Sequence, residues 1–243
     1  MNYGHLIFEI LGLFSYSVIS TIIYPQITQA VAAGKSREAG QLTQTDQNLS
    51  ALLTIPLALG AFVFHRELIS LIYERGMFDA AASLETASIF RWYTLSLPFQ
   101  GFALLVCQCF YAHKDTVSTV ICSMISVLVN VVLNLTLSRV WQAQGLAIAT
   151  TISAIVQAAL LYWFMKRKLR RMEIQLSRKK LLMITVFSAI SVAAARGVYL
   201  WLYHSLGWMS LLCLVISVLI AVILYLLLLK LGKIEELSYL KRG

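Results

Sequence analysis

Charged residues are scarce in this sequence, and their scarcity excludes an ordinary soluble protein. Only 13% of the 243 residues are charged, whereas 59% are hydrophobic, and the mean hydropathy is +0.78. Soluble domains usually carry charge on about a quarter of their residues. The three prolines and twelve glycines are also too few for a fibrous or low-complexity chain. The composition therefore predicts a protein whose surface faces lipid.

Motifs that would indicate an enzyme are also missing from the sequence. It has no nucleophile elbow, no phosphate-binding glycine loop and no zinc-binding histidine pair. Cys107 and Cys109 are two residues apart, so on a helix they point to different faces and cannot share a metal. We predict four cysteines buried as small apolar side chains. We also predict that the chain is not an enzyme and has no catalytic residue, metal or cofactor.

Seven apolar stretches predict membrane spans. A bilayer core of about 30 Å needs roughly 20 apolar residues in a helix. The predicted fold class is an all-α polytopic transmembrane helix bundle, a single domain over residues 1–243, with an interfacial half-helix at 66–76 that is too short to span. The predicted spans lie near residues 6–24, 48–64, 85–111, 116–137, 145–164, 181–203 and 209–231.

Lysine and arginine are distributed unevenly between the loops. Eight of them lie in the segment Lys166–Lys180, and alternation of seven spans puts fifteen on that side against three on the other. Basic loops usually stay in the cytoplasm. The C-terminus is therefore predicted to be cytoplasmic, and the net charge of +9 is assigned to this asymmetry rather than to nucleic-acid binding.

The same topology leaves the N-terminus outside, although no signal peptide precedes the first span. Two explanations are open. The first span acts as a signal anchor, or the chain is the C-terminal half of a longer protein. We favour the second.

Polar residues form a stripe along the fourth predicted span. Ser126, Asn130 and Asn134 are each one helical turn apart, and Thr119 and Ser123 extend the stripe toward the start of the span. Because two amides facing lipid would be costly, this face should meet other helices or a wet cavity. Hydrogen bonding between helices and the lining of a cavity both remain open.

Small residues recur every fourth position in the fifth predicted span. Gly145, Ala149 and Ser153 have the spacing that lets helix backbones approach closely. Gln157 continues the repeat and is a further candidate for a cavity.

Three charged residues lie in the interior of predicted spans, and such groups are candidates for a function because their burial is expensive. Arg91 and Arg196 are each about two turns from the outer boundary, so anchoring at the headgroups is an equal alternative to a cavity role. Glu9 is the only acid expected deep in the spans, and it would suit hydrogen bonding to sugar or peptide.

Three segments carry a family resemblance. Leu71–Asp79 is similar to the motif Leu-Phe-x-Arg-Gly-x-Phe-Asp, and Phe110–Thr116 is similar to Phe-Tyr-Ala-Arg-Lys-Asp-Thr. Asn130 and Asn134 fall where the motif Val-Asn-x-x-Leu-Asn would lie. Together with the span that ends at Pro25, these segments resemble the lipid II flippase family (MurJ, formerly MviN) of the multidrug/oligosaccharidyl-lipid/polysaccharide exporter superfamily.

The resemblance implies helices eight to fourteen of a fourteen-helix flippase in the bacterial plasma membrane. Such a protein moves a lipid-linked cell-wall precursor, lipid II, by alternating access. The implied partners are membrane lipids, the lipid-linked oligosaccharide, and the missing N-terminal half or other membrane-bound cell-wall enzymes, with no nucleic acid. The implied site residues are cavity candidates His5, Glu9, Arg91, Asn130, Asn134 and Gln157, a cytoplasmic turn with Lys114 and Asp115, and a periplasmic motif with Arg75, Gly76 and Asp79.

One departure from the family keeps alternatives open. The family's eighth helix usually opens with Asp-Arg, where this sequence has His5 and Leu6, so the cation is lost or replaced by His5. A flippase for another polysaccharide-lipid, a multidrug exporter of the same superfamily and a non-transporting scaffold subunit are the alternatives.

Overall fold

The computed structural model describes residues 3–73, 80–174, 177–206 and 210–232, and every regular element in these ranges is helical. The predicted all-α transmembrane bundle is thus confirmed as the fold class. The α-helices are α1 (Tyr3–Gly12), α2 (Val18–Ala32), α3 (Ser36–Val63), α4 (His65–Tyr73), α5 (Ala80–Thr94), α6 (Leu97–Ala112), α7 (Thr116–Lys168), α8 (Arg178–Leu206) and α9 (Ser210–Leu231), with a π-helical turn at Leu13–Ser17 and a 3₁₀ turn at Arg170–Met172.

The outer surface of the bundle is apolar. Leu128 of α7 is 64% exposed and Ile223 of α9 is 57% exposed. Contiguous exposed apolar surface of this kind is uncommon on soluble monomers. By length and composition, α3, α7, α8 and α9 each qualify as membrane spans, and α5 with α6 form a fifth candidate that is bent by 42°.

Helix α7 is two helices joined at a break. Its 53 residues would extend about 80 Å as one straight helix, far beyond a bilayer core of about 30 Å. Gln142 has non-helical angles, φ 47° and ψ −127°, and there the chain turns back. We name the halves α7a (116–141) and α7b (143–168). The predicted spans 116–137 and 145–164 fall one in each half.

Three other predicted spans differ from the helices that contain them. The stretch 6–24 is divided by the π-helical turn into α1 and α2, and it does not end at Pro25, because α2 continues through this proline to Ala32. Helix α3 begins at Ser36, well before the predicted span at 48–64. Its first turns are not part of the predicted span because they are polar, although they are helical. The stretch 85–111 is divided at Leu95 and Ser96 into α5 and α6. Pro98 lies in the first turn of α6, where the missing proline N–H donor costs nothing. The predicted half-helix at 66–76 is helical as far as Tyr73, the end of α4, and its remaining residues lie outside the described ranges.

Helix α3 lies at the centre of the fold and packs against α2, α5, α6 and α8. The largest apolar cluster joins α4, α5, α6 and α7b around Ile69, Phe90, Leu97 and Ala147. The hydroxyl of Tyr225 on α9 donates to the carbonyl oxygen of Leu52 at 2.9 Å. All four cysteines are buried and unbridged, as predicted.

Candidate functional site

A polar cleft of about 560 Å³ opens between α6, α7a, α7b and the π-helical turn. We use the name polar cleft for this cavity throughout. The turn supplies Tyr16, and the polar side chains around it come from all three helices. They are Gln100 and Tyr111 of α6, Ser123, Ser126 and Asn130 of α7a, and Thr150, Ser153 and Gln157 of α7b.

The two halves of α7 are held together by polar contacts beside this cleft. Ser126 Oγ donates to the Ser153 carbonyl oxygen at 2.9 Å, and Asn130 Nδ2 donates to Ser153 Oγ at 3.1 Å. One turn further along α7b, Gln157 Nε2 donates to Ser123 Oγ at 3.2 Å. The stripe of the fourth span therefore both bonds to a neighbouring helix and lines a cavity, the two roles that the sequence left open.

Asn134 extends this network toward the break in α7. Its Nδ2 donates to Asn130 Oδ1 at 2.9 Å. Its own Oδ1 is buried and has no hydrogen-bond partner among the described residues. Amide groups have more hydrogen-bonding capacity than these contacts use. Asn130 and Asn134 thus form a connected pair of amides, of which Asn130 faces the polar cleft.

Gly145 permits the close contact between the halves near their turn. A Cβ added to Gly145 would lie 2.4 Å from the carbonyl oxygen of Leu137. Because that neighbour is backbone, it cannot move aside as a flexible side chain does. The small-residue repeat of the fifth span therefore starts at a position where only glycine fits.

The opposite end of the α7 hairpin is closed by the turn with Lys114 and Asp115. Asp115 caps α7 by accepting from Ser118 N at 3.1 Å, and Lys168 Nζ lies 2.9 Å from Asp115 Oδ2. The hydrogen bond from Lys168 is the main cause that holds the pKa of Asp115 below its ordinary value of 3.8. Lys114 is exposed and takes a positive φ of 59°.

The other three cavity candidates do not line the polar cleft. His5 and Glu9 lie on α1 where it packs against α5, and Arg91 lies on α5 within electrostatic range of His65 on α4. His5 Nδ1 is 3.5 Å from Glu9 Oε1, and its ring meets Tyr93 edge-on at 5.2 Å between centroids. Arg91 stacks over the ring of Trp92 at 5.0 Å. The Arg91 Nε atom is buried and has no hydrogen-bond partner among the described residues. The candidates therefore do not form one site: three lie at the polar cleft or beside it, His5 contacts Glu9, and Arg91 stands apart from both groups.

The predicted periplasmic motif falls outside the part of the chain that the structure describes. Its residues are Arg75, Gly76 and Asp79.

Two features of the structure were not predicted from the sequence. Arg196 forms an ion pair with Glu67 of α4 and stacks on the rings of Phe64 and Tyr199 at 5.5 and 5.3 Å. Asp46 of α3 is fully buried, so the expectation that Glu9 is the only acid deep in the spans is wrong. The predicted span begins at residue 48, two residues after Asp46, because the sequence around Asp46 is polar.

A second cavity is mostly apolar. This apolar groove of about 610 Å³ lies between α3, α6, α7b and α8, with Phe99, Phe102 and Tyr162 among its walls and Arg178 at its edge. It shares α6 and α7b with the polar cleft.

Known proteins match the chain over most of its length. The sequence model of the family "Lipid II flippase MurJ" matches residues 1–222. A probable lipid II flippase of Bdellovibrio bacteriovorus is 23% identical over 96% of this chain and 44% of its own length. The lipid II flippase of Thermosipho africanus is 28% identical over 72% of this chain and 36% of its own length.

The fold agrees with that similarity. A solved structure of lipid II flippase MurJ in an inward closed conformation matches with a TM-score of 0.82 at 21% identity, covering 95% of this chain and 46% of that one. The chain spans less than half the length of these relatives. It is a multi-pass membrane protein of the bacterial plasma membrane, and it belongs to the lipid II flippase MurJ family.

Proposed function

We propose that this chain forms one helix bundle of a flippase that moves lipid II, a lipid-linked precursor of the cell wall, across the plasma membrane. The observation that carries the proposal is the match of the family's sequence model over residues 1–222. The flippase would work by alternating access, in which two bundles rock around a central cavity. This chain would supply one of the two bundles.

The polar cleft supports a role in binding the headgroup of such a substrate. Its hydroxyl and amide groups can donate to and accept from a sugar or a peptide without any covalent step. Asn130 and Gln157 both line it, while the outer surface of the same helices is apolar. Cavities in membrane transporters are commonly built this way, since polar groups are tolerated in a bilayer only where they face protein or water.

His5 and Glu9 would form a second contact with the substrate, and Arg91 would form a third. Glu9 is exposed, and Arg91 has a buried Nε with bonding capacity to spare. A charged or hydrogen-bonding part of the substrate would meet these residues where the second bundle closes over α1 and α5. Arg75, Gly76 and Asp79 are proposed to keep the periplasmic end of this bundle in shape.

For orientation, we propose that the C-terminus and the basic segment that begins at Lys166 face the cytoplasm. The α7 hairpin brings Asp115 and Lys168 together, so Lys114 leaves the membrane on the same side as that segment. Basic loops are retained in the cytoplasm far more often than they are exported. The proposed partners are the N-terminal half of the flippase, which would provide the facing bundle, and other membrane-bound cell-wall enzymes.

The test is a complementation experiment with the complete flippase that contains this chain. The full-length gene is expressed in cells from which a known lipid II flippase is depleted, and growth is measured. Rescue is expected. Failure to rescue at normal expression and membrane insertion would rule out the lipid II assignment, and rescue of a different polysaccharide-lipid flippase would point to that substrate instead.

A matched pair of variants then tests the polar cleft. Gln157→Leu removes an amide that lines the cleft, and Gln41→Leu removes an exposed amide outside it. Gln157→Leu should lower rescue at unchanged protein level, while Gln41→Leu should rescue like the wild type. Equal rescue by both variants would contradict a role for the cleft, and copurification with cell-wall enzymes without any flipping would favour a scaffold.

A further inference from the structure

Helix α3 carries polar side chains that the bundle buries, most of them in its first half. Helix α3 is one of the helices long and apolar enough to cross a membrane. Six of its polar side chains are each no more than 4% exposed. They are Thr43, Asp46, Gln47, Asn48, Ser50 and Thr54.

Asp46 differs from its polar neighbours because its side chain is unpaired. Thr43 Oγ1 donates to the carbonyl oxygen of Ala39 at 2.8 Å, and Gln47 Nε2 donates to that of Phe102 at 3.5 Å. Asp46 is 0% exposed, and neither of its carboxyl oxygens has a hydrogen-bond partner among the described residues. Buried polar groups in folded proteins are nearly always paired, so this carboxyl group requires an explanation.

The charged groups around Asp46 do not explain its unpaired carboxyl group. Helix α3 packs against α2, α4, α5, α6, α8, the π-helical turn and the 3₁₀ turn, and the titratable group that faces Asp46 is the Cys109 thiol on α6. The described residues of the other elements bring no charged group to it. Arg37, at the start of α3, lies about 13 Å away along the helix and is engaged by Glu173 at 3.1 Å.

An ionised carboxylate at this place would therefore lack both a cation and a hydrogen-bond donor among the residues that the structure describes. Burying an unpaired charge costs several kcal/mol even after the protein relaxes. A carboxyl group in such a place takes up a proton instead and becomes neutral. Asp46 lines neither the polar cleft nor the apolar groove, so the geometry favours a proton over a larger cation.

We propose that Asp46 is a proton-binding site, which holds its proton in this conformation and releases it to water only when α3 and α6 separate. In that step the carboxyl O–H bond breaks and a water molecule accepts the proton. Because the charged form needs water and the neutral form needs the closed packing, proton occupancy and the packing of α3 are linked. The proposal adds proton binding to the proposed transport and does not depend on which substrate is moved.

The sequence makes a direct test practical, because it contains only three aspartates, Asp46, Asp79 and Asp115. The full chain is labelled with [4-¹³C]aspartate and placed in lipid nanodiscs at neutral pH, and its carboxyl groups are observed by infrared and NMR spectroscopy. We expect one protonated carboxyl signal, which is lost in Asp46→Asn and kept in the control Asp115→Asn. A spectrum with three ionised carboxylates, or a protonated signal that persists in Asp46→Asn, would overturn the proposal.

A second measurement needs no substitution at Asp46, in case that variant fails to fold. The labelled wild type is transferred to D₂O, and the shift of the protonated carbonyl band on deuteration is followed with time. A carboxyl group sealed between α3 and α6 should exchange slowly, whereas immediate exchange would contradict the seal. Asp79→Asn and Asp115→Asn then assign the band by elimination.

Discussion

Gly145 allows the contact between the two halves of α7 to be tested by adding a single methyl group. In Gly145→Ala the new Cβ would lie 2.4 Å from the carbonyl oxygen of Leu137 and 2.6 Å from its carbonyl carbon. Ordinary contacts between nonbonded carbon atoms are about 3.5–4.0 Å. The halves would therefore have to separate by roughly 1 Å at this point, since backbone offers no rotamer that could relieve the clash.

The expected cost follows from two opposing effects. Overpacking of a tight contact usually destabilises by about 1–3 kcal/mol, and replacing glycine by alanine in a helix recovers up to about 1 kcal/mol. A net loss of roughly 1–2 kcal/mol should lower the midpoint of thermal unfolding by a few degrees in a chain of this size. Separation of the halves should also weaken the bonds of Ser153 to Ser126 and Asn130, so rescue by the full-length flippase should fall.

The assay is thermal unfolding in lipid nanodiscs, with Gly197→Ala as the matched control. Gly197 lies within α8, and a Cβ added there would meet nothing within 4 Å. This variant should unfold at the wild-type temperature or slightly above it, because alanine is the better helix former. If Gly145→Ala were as stable as Gly197→Ala, the close contact at Leu137 and the hairpin geometry derived from it would be refuted.

Three further predictions concern contacts between helices. The pKa of Asp115 is lower in the folded chain than in the unfolded one. Its contact with Lys168 therefore stabilises the fold at pH values above the unfolded pKa, and this stabilisation is lost as the pH falls through the lower folded pKa. The difference in unfolding temperature between the wild type and Asp115→Asn should therefore be full at neutral pH and should decline as the pH falls below 3.8, and a pH-independent difference would contradict it. Glu67→Gln should lower the free energy of unfolding, measured with denaturant, by roughly 1–3 kcal/mol, because it leaves the half-buried Arg196 unpaired. The double variant that also carries Arg196→Met should regain part of that loss. Ser153→Ala should lower the free energy of unfolding by about 1 kcal/mol and loosen α7a from α7b. Amide hydrogen exchange should then be faster in the hairpin, while exchange in α9 stays unchanged.

The class of fold could be predicted from the sequence because it depends on composition and segment length. A chain with so few charges needs lipid around it, and long apolar runs need helices there to satisfy their backbone groups. The stripe through Ser126 and Asn130 was also visible, since residues one turn apart share a helix face whatever the tertiary structure. These inferences use only helical periodicity and the thickness of the bilayer.

The contacts of the candidate site depend on tertiary structure and could not be predicted in the same way. Nothing in the local sequence pairs Glu67 with Arg196, which are 129 residues apart. Asp46 was missed because its burial comes from neighbouring helices, while its own sequence neighbours are polar. The break at Gln142 had one usable signal, Gly145 close by, but the sharpness of the turn depends on the fit of the two halves.

The α7 hairpin has a consequence for how the chain acquires its orientation. Its two ends meet through Asp115 and Lys168, so the chain enters and leaves this unit on one face of the bundle. Such a unit adds an even number of crossings, and its loss or duplication would leave the helices that follow pointing the same way. If this face is the cytoplasmic one, as proposed above, the basic residues at the end of α7b and the basic turn at Lys114 would act as one combined signal for retention, which would make this hairpin the part of the bundle least prone to inverted insertion.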